Sequence, residues 1–507
     1  MLFHKLTAGL LALAMLGTFV PASAPMLTAC AEEETPTSGT CGENLTWSFD
    51  EGTGTLTIRG QGKMSNYSYN RELPWYPYSD KINAVVIEDG VTAIGKCAFG
   101  KCGNMTSVTI PDGVTNIGDD AFYGCTSLTS VTIPDSVTSI GDYAFSCCTS
   151  LTFVTIPDSV TSIRDYAFSS CKSLTEVTIP DSVTSIGKGA FHGCSGLTSV
   201  TIPRSVTSIG EKAFSYCTSL TSVTIPDSVT SIGENAFEDC TSLTSVTIPD
   251  GVTSIGASAF YNCTSLTSVI IPDSVTGIWG YTFKGCKSLT SVIIPDSVTG
   301  IVGYAFEGCS ALTSVTIPDS VTSIGGYAFS GCKSLTTVTI PDSVTIIEWN
   351  AFNNCTSLTE VTILNPNCTF DNPTFSNSTD KSFTGTIYGY EGSTAQAYAE
   401  KYDCTFQSLG AAPAPEPESP APEETALGDV SGDGKIDSSD AADLLIALAK
   451  IGAGEDAGLI DAQKAAADAD GNGELNAADA TVILQYAAYL GAGGEETLQE
   501  FLASQTA

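Results

Sequence analysis

The chain is 507 residues long and carries 20 Lys and Arg against 56 Asp and Glu, a formal net charge of −36. So acidic a surface repels phosphate backbones and anionic bilayers, which excludes nucleic acid and charged membranes as partners. The length calls for more than one folding unit, and only 15% of residues are charged while Ser and Thr abound, a composition typical of extracellular β-rich repeats.

Residues 1–31 read as an export signal. Met1-Leu-Phe-His-Lys5 is short and positive, Leu6 to Val20 is apolar, and Pro21-Ala-Ser-Ala24 and Ala29-Cys-Ala31 offer small residues for cleavage. Cleavage is expected after Ala31, because Pro25 disfavours the earlier position. Leu27-Thr-Ala-Cys30 also resembles a bacterial lipobox, which gives the alternative of a surface adhesin lipid-anchored at Cys30. No other stretch reaches the roughly 18 apolar residues of a membrane span. The expected location is therefore extracellular, as a secreted protein.

Residues 32–81 follow no repeat. Leu45-Thr-Trp-Ser-Phe49 and Thr55-Leu-Thr-Ile-Arg59 alternate apolar and polar residues around Glu51-Gly-Thr-Gly54, which is a β-hairpin signature. Such a hairpin is expected to cap the array that follows.

Across residues 82–364 one phrase recurs every 23 residues, and Cys102, Cys125, Cys148, Cys171, Cys194, Cys217, Cys240, Cys263, Cys286, Cys309, Cys332 and Cys355 keep that step without a slip. A fixed period of this length marks a solenoid. In one copy Leu128, Val131 and Ile133 point inward from a short strand, and Pro134, with no N–H to donate, ends it. Val137 and Ile140 line the opposite wall, Gly141 suits a tight bend, and Ala144-Phe145 fills the interior. Thirteen strands at roughly 4.8 Å spacing give a body about 60 Å long. Cysteines stacked in one column point the same way and are poorly placed to form disulfides with one another, so they read as small buried apolar residues. The absence of a Cys-x-x-Cys pair argues against zinc. Cys41, Cys97 and Cys147 have no assigned role, and whether Cys368 pairs with Cys404 stays open.

Leu-x-x-Val-x-Ile with Ala-Phe-x-x-Cys on this period resembles the BspA-like leucine-rich repeats of bacterial surface proteins. It departs from ordinary leucine-rich repeats in having Pro-Asp-Ser where an Asn ladder would follow the strand. The resemblance implies adhesion or protein binding. The strand surface is a nearly uniform Thr, Ser, Thr (Thr129, Ser130, Thr132 and their equivalents), broken by Phe153, Glu176, Ile270, Ile293 and Glu360. Tyr281, Tyr304 and Tyr327 form a column with Tyr143 and Tyr166 further along and Trp279 beside it. These aromatics are candidates for stacking on the sugar rings of a plant polysaccharide, with packing between adjacent turns as the other reading.

Residues 365–410 close the array, with a strand in Thr384-Gly-Thr-Ile-Tyr-Gly-Tyr390 and a short helix from the N-cap Ser393 to Tyr402; this resembles the closing segment of the same family. Residues 411–426 are Pro-rich and acidic, and read as an extended linker.

Beyond it the composition changes to Ala, Asp and Leu. Asp429, Ser431, Asp433, Asp437 and Asp440 stand at positions 1, 3, 5, 9 and 12 of a loop, with Gly434 at the sharp turn and the Lys435 carbonyl at position 7. Asp468, Asp470, Asn472, Glu474 (by its carbonyl), Asn476 and Asp479 repeat the spacing. All-oxygen donors at these positions suit a hard cation, so two Ca²⁺ ions are expected. Each loop runs into an apolar helix, expected over Ala441 to Ile451 and Ala480 to Leu490. Loop then helix, twice, with Asp rather than Glu at position 12, resembles a type I dockerin of cellulosomal proteins, over residues 427–492 with a tail at 493–507. The resemblance implies a cohesin module of a scaffoldin as partner and attachment to a cell-surface cellulosome. It also implies that Ser438, Ser439, Leu445 and Ile446 of the first copy, and Ala477, Ala478, Leu484 and Gln485 of the second, make the contact. The copies differ at these positions, which argues against two interchangeable orientations.

The fold expected is thus a mainly β leucine-rich-repeat solenoid with a β cap, plus a small all-α domain with two calcium loop–helix motifs. No catalytic residue is assigned: of two histidines, His4 leaves with the signal and His192 has no partners for a nucleophilic centre. The reading is a non-catalytic, docked binding protein. The alternative is a polysaccharide-degrading enzyme or accessory protein with a carboxylate pair on the solenoid.

Overall fold

A computed structural model describes residues 36–68, 72–371, 373–378, 381–413, 427–431, 435–452, 459, 461–470, 474–491 and 496–505. The expected signal with Cys30, the linker from residue 414 to 426, and the loop residues Asp433, Gly434 and Asn472 lie outside them. The chain divides into two compact units, Met1–Ser408 and Leu409–Ala507.

In the first unit each coil lays down two short strands, except that the coil of Ser268–Ile270 has only an isolated bridge, Ile278 to Ile301, in place of its second. Ser130–Thr132 is one, with Val131 buried and its neighbours exposed, and Ser139–Ile140 is the other. Each pairs in parallel with the strand one period away, as in Val154 with Val131 and with Val177, or Ile186 with Ile163 and with Ile209. The 23-residue period is therefore the sheet register. A third wall is made by turns in which Tyr143, Phe145 and Cys147 donate their N–H groups to carbonyls of the next coil, at 2.7 to 2.9 Å. The N–H groups between them bond within the turn, so the backbone is satisfied without a strand.

Leu128, Val131, Ile133, Val137, Ile140, Ala144, Phe145 and Cys148 fill the interior of one coil, and all are buried. The phenylalanines stack along the axis from Phe99 to Phe375, with Trp75 as the first rung and centroids 5.1 to 5.8 Å apart. The cysteine column is buried and free of disulfides. Its thiols are more than apolar filler, because Cys125 donates to the carbonyl of Phe99 at 3.2 Å and the pattern runs to Cys355 and Phe329. The serine of Pro-Asp-Ser does the work of the missing Asn ladder. Ser136 donates to the Val114 carbonyl at 2.6 Å and Ser228 to that of Val206 at 2.7 Å.

Two positions per turn hold a left-handed backbone. They include Tyr143 and Cys147 at φ 57° and 61°, and Cys97 at φ 56° in the first such column, which accounts for where these odd cysteines stand but not for why they are cysteines. Gly141 is required for a different reason: a Cβ there would stand 2.5 Å from the Asp119 nitrogen of the preceding coil. In its column Arg164, Trp279, Val302 and Glu348 replace glycine. The second-wall sheet breaks beside the first two, between Ser139–Ile140 and Ser162–Ile163 and between Ser254–Ile255 and Gly300–Ile301, and runs on past Val302 and Glu348.

The N-terminal cap is a three-stranded antiparallel piece of β1 (Ser38–Gly42), β2 (Leu45–Asp50) and β3 (Thr55–Gly60). The sequence signature covered β2 and β3 only. β3 pairs in parallel with Ala84–Ile87 and so becomes the first rung of the solenoid sheet. At the far end Thr386–Glu391 continues that sheet, and α1 (Thr394–Lys401) is capped by Ser393, whose side chain accepts from the Gln396 N–H. Cys368 and Cys404 are both free thiols.

The second unit contains α2 (Ser438–Gly452), α3 (Asp461–Ala467), α4 (Ala477–Gly491) and α5 (Leu498–Gln505). Ala441, Leu444, Ala480, Ile483 and Tyr486 form its core. Leu498 and Phe501 of α5 are buried in the same core, so α5, within the segment expected as a tail at 493–507, is part of the packing. α3 was not foreseen either.

Candidate metal centre and docking face

Asp440 and Asp479, at position 12 of their loops, sit in the first turns of α2 and α4 and are buried. Each uses both carboxylate oxygens on its own loop. Asp440 accepts the N–H of Ser431 at 2.9 Å and of Asp437 at 2.8 Å. Asp479 accepts the N–H of Asp470 at 3.2 Å and of Asn476 at 2.9 Å. The bonds join positions 3, 9 and 12 identically in both copies.

Position 9 also starts the helix. Asp437 Oδ1 accepts the Ser439 N–H at 2.8 Å and its hydroxyl at 2.7 Å, and Asn476 Oδ1 accepts the Ala478 N–H at 2.8 Å. These are side-chain caps of the kind that nucleate a first turn. They correct the expected helix starts from Ala441 and Ala480 back to Ser438 and Ala477. The same bonds, the Ser439 hydroxyl first, hold the exposed Asp437 carboxyl below its ordinary range.

In the second loop, carboxylate oxygens of Asp468, Asp470 and Asp479 lie within 4.8 Å of one another. Three like charges so close, one of them 0% exposed, repel strongly unless a cation or protons neutralise them. The Glu474 carbonyl accepts from the Asn476 amide at 3.0 Å. In the first loop the Ser431 hydroxyl takes the place of Asp470 and donates to Asp429 at 3.3 Å. The donors described, Asp429, Ser431 and Lys435 among them, offer oxygen alone, and the residues fit a hard divalent cation.

All eight residues expected at a docking face are exposed: Ser438, Ser439, Leu445 and Ile446 on α2, and Ala477, Ala478, Leu484 and Gln485 on α4. Each set lies on the side of its helix away from the buried Leu444 or Ile483, since i, i+4 and i+7 share a face. Ile446 is 56% exposed and Leu445 and Leu484 45%, an apolar surface that the rest of the module leaves open.

The aromatic column has a different character. Tyr281 stacks on Tyr304 at 4.8 Å and Tyr304 on Tyr327 at 4.9 Å, and Trp349 meets Tyr327 edge-on. The faces of Tyr304 are turned to its neighbours, as packing between turns requires. Trp279 stands apart in the glycine column, 54% exposed. The threonines that open each strand donate to the carbonyl one coil back, as Thr152 does to Thr129 at 3.2 Å and Thr175 to Thr152 at 3.3 Å, so uniformity in that column serves the stack.

Comparison with known proteins follows the same division. The BspA type leucine-rich repeat region matches residues 75–197, 161–290 and 278–387. The chain belongs to the BspA-type leucine-rich repeat family. A type I dockerin domain matches residues 427–486, so this BspA-type chain carries a cohesin-binding module of the cellulosomal kind at its C-terminal end. Both families are binding modules. A leucine-rich repeat protein from Bacteroides ovatus is 28% identical with a TM-score of 0.60, over 73% of this chain and 99% of that one. One from Eubacterium ventriosum is 30% identical (TM-score 0.45; 64% and 96% covered). A leucine rich cell surface protein from Faecalibacterium prausnitzii is 32% identical (TM-score 0.41; 65% and 95% covered). No curated protein matches. Among the described residues no helix is long and apolar enough to cross a membrane.

Proposed function

We propose that the protein is a secreted, non-catalytic component that docks on a scaffoldin cohesin in a calcium-dependent way and displays its solenoid for adhesion or binding. The observation that carries this reading is the carboxylate cluster of Asp468, Asp470 and Asp479 at the root of a helix with an open apolar face. Asp429, Ser431, Asp433, the Lys435 carbonyl, Asp437 and Asp440 would hold one ion. Asp468, Asp470, Asn472, the Glu474 carbonyl, Asn476 and Asp479 would hold the other. A bound Ca²⁺ supplies the charge that lets these oxygens converge. The chain's own part is mechanical: Asp440 and Asp479 tie each loop to its helix, and so set where Leu445, Ile446 and Leu484 present themselves. Because such sites do not pre-exist in the unfolded chain, binding energy is folding energy.

The test is a panel of type I cohesins immobilised and challenged with the full chain. Saturable binding to at least one cohesin, abolished by chelator and weakened at least about tenfold in Asp440→Asn/Asp479→Asn, is expected. Binding that ignores the chelator, or binding to none, contradicts the reading.

A further inference from the structure

The tyrosine column on the solenoid flank is interrupted between Tyr166 and Tyr281, and the interruption opens a groove of about 480 Å³. Tyrosines in this column lean over the following coil: the Tyr166 ring lies directly over Gly189, and Tyr281 packs on Tyr304. A tyrosine at 258 would lie over Tyr281 in the same way. Ser258 stands there instead, leaves that face of Tyr281 bare, and lines the groove beside it.

Tyr216 and Tyr261 add two more rings to the walls, and Glu238 and Asp239 bring carboxylates. Glu238 accepts from Asn235 at 3.0 Å and Ser215 at 3.5 Å, and Asp239 from the Asn262 amide. Neither takes part in an ion pair among the described residues, whereas Glu211 and Glu307 do. Burial, and then the neighbouring Asp239, push the Glu238 carboxyl above its ordinary range.

The next coils show what such surroundings hold. Lys284 Nζ lies 5.1 Å from the Tyr281 centroid and 5.2 Å from that of Tyr304, with Glu307 at 2.6 Å. The protein's own ammonium group there lies beside two stacked tyrosine rings and against a carboxylate, aromatic contact reinforced by charge. In the groove the rings and carboxylates recur with no lysine among the lining residues; Lys212, near enough to Glu238 to favour its charged form, is itself paired with Glu211. A neutral sugar would also stack on Tyr281, but it would bring no charge to two carboxylates that make no ion pair among the described residues, in a chain of net charge −36.

We propose that this groove binds a cationic side chain, an arginine guanidinium or lysine ammonium, presented by a basic segment of a partner protein. The role goes beyond cohesin docking and does not depend on calcium. The probe is a tetra-arginine peptide titrated calorimetrically into the full chain, with cellotetraose as comparator. Ser258→Tyr fills the groove with a residue that the column already accepts at the same backbone angle, φ 57° at Ser258 against 58° at Tyr327. Glu238→Gln/Asp239→Asn removes the charge, and Asp319→Asn/Asp342→Asn removes equal charge from distant exposed turns. Ser258→Tyr and Glu238→Gln/Asp239→Asn are each expected to weaken tetra-arginine binding about tenfold, while Asp319→Asn/Asp342→Asn leaves it unchanged and cellotetraose gives no heat. If Ser258→Tyr fails to fold by circular dichroism, the carboxylate pair against its charge control decides alone. Equal binding by the folded variants, no binding of the peptide, or cellotetraose binding that Ser258→Tyr abolishes would overturn the proposal.

Discussion

A thiol in the cysteine column meets a backbone carbonyl and no water. Cys194 donates to Phe168 at 3.1 Å, and burial pushes its pKa from the usual 9.0 to about 12. The neutral form is favoured on folding, so the folded pKa exceeds the unfolded one. The linkage then runs in one direction: the thiols leave stability unaffected by pH below about 9 and reduce it as pH rises from there towards about 12. Urea midpoints measured from pH 7 to 11 should fall progressively above pH 9, and less steeply in a chain with Cys194, Cys217 and Cys240 replaced by Ala. A profile as steep in that variant would assign the loss to other groups. Thiolate being the reactive species, these cysteines should also resist alkylation in the folded chain.

At the scale of the element, what was readable depended on whether a physical constraint recurs at one residue type. The interior positions do recur, so Leu128, Val131, Ile133 and their equivalents announced the strands and the register together. The left-handed positions do not: one column holds Asp120, Tyr143, Lys212, Asn235 and Ser258, all at φ between 55° and 57°. Coil-to-coil hydrogen bonds hold that backbone whatever the side chain, and only the Gly and Asn content of the neighbouring column, with Gly124, Gly193 and Asn262, hinted at it. The helix starts were misplaced because Ser438 and Ser439 read as loop, while the capping oxygen of Asp437 was already counted as a metal donor. α5 lies in the expected tail; its eight residues are short for an independent helix, and burial of Leu498 and Phe501 is what holds it. Deleting residues 493–507 should destabilise the C-terminal unit by about 3–6 kcal/mol, the worth of two buried large apolar side chains. The chelator-sensitive thermal transition of the full chain reports this, and an unchanged midpoint would mean that α5 packs without contributing.

Over the whole molecule two kinds of stability stand side by side. The solenoid sums near-identical contacts between neighbouring coils, closed at one end by β1 to β3 and Trp75 and at the other by Phe375 and α1. The C-terminal unit has a small core and a set of converging carboxylates whose mutual repulsion a cation would relieve. The function proposed follows from that separation: a metal-dependent attachment module can lose its partner while the displayed surface stays intact.

Differential scanning calorimetry of the full chain, first with Ca²⁺ and then with excess chelator, tests this most directly. Two transitions are predicted, one shifted to lower temperature or abolished by the chelator and the other unmoved. A chelator that moves neither transition, or both alike, would contradict it.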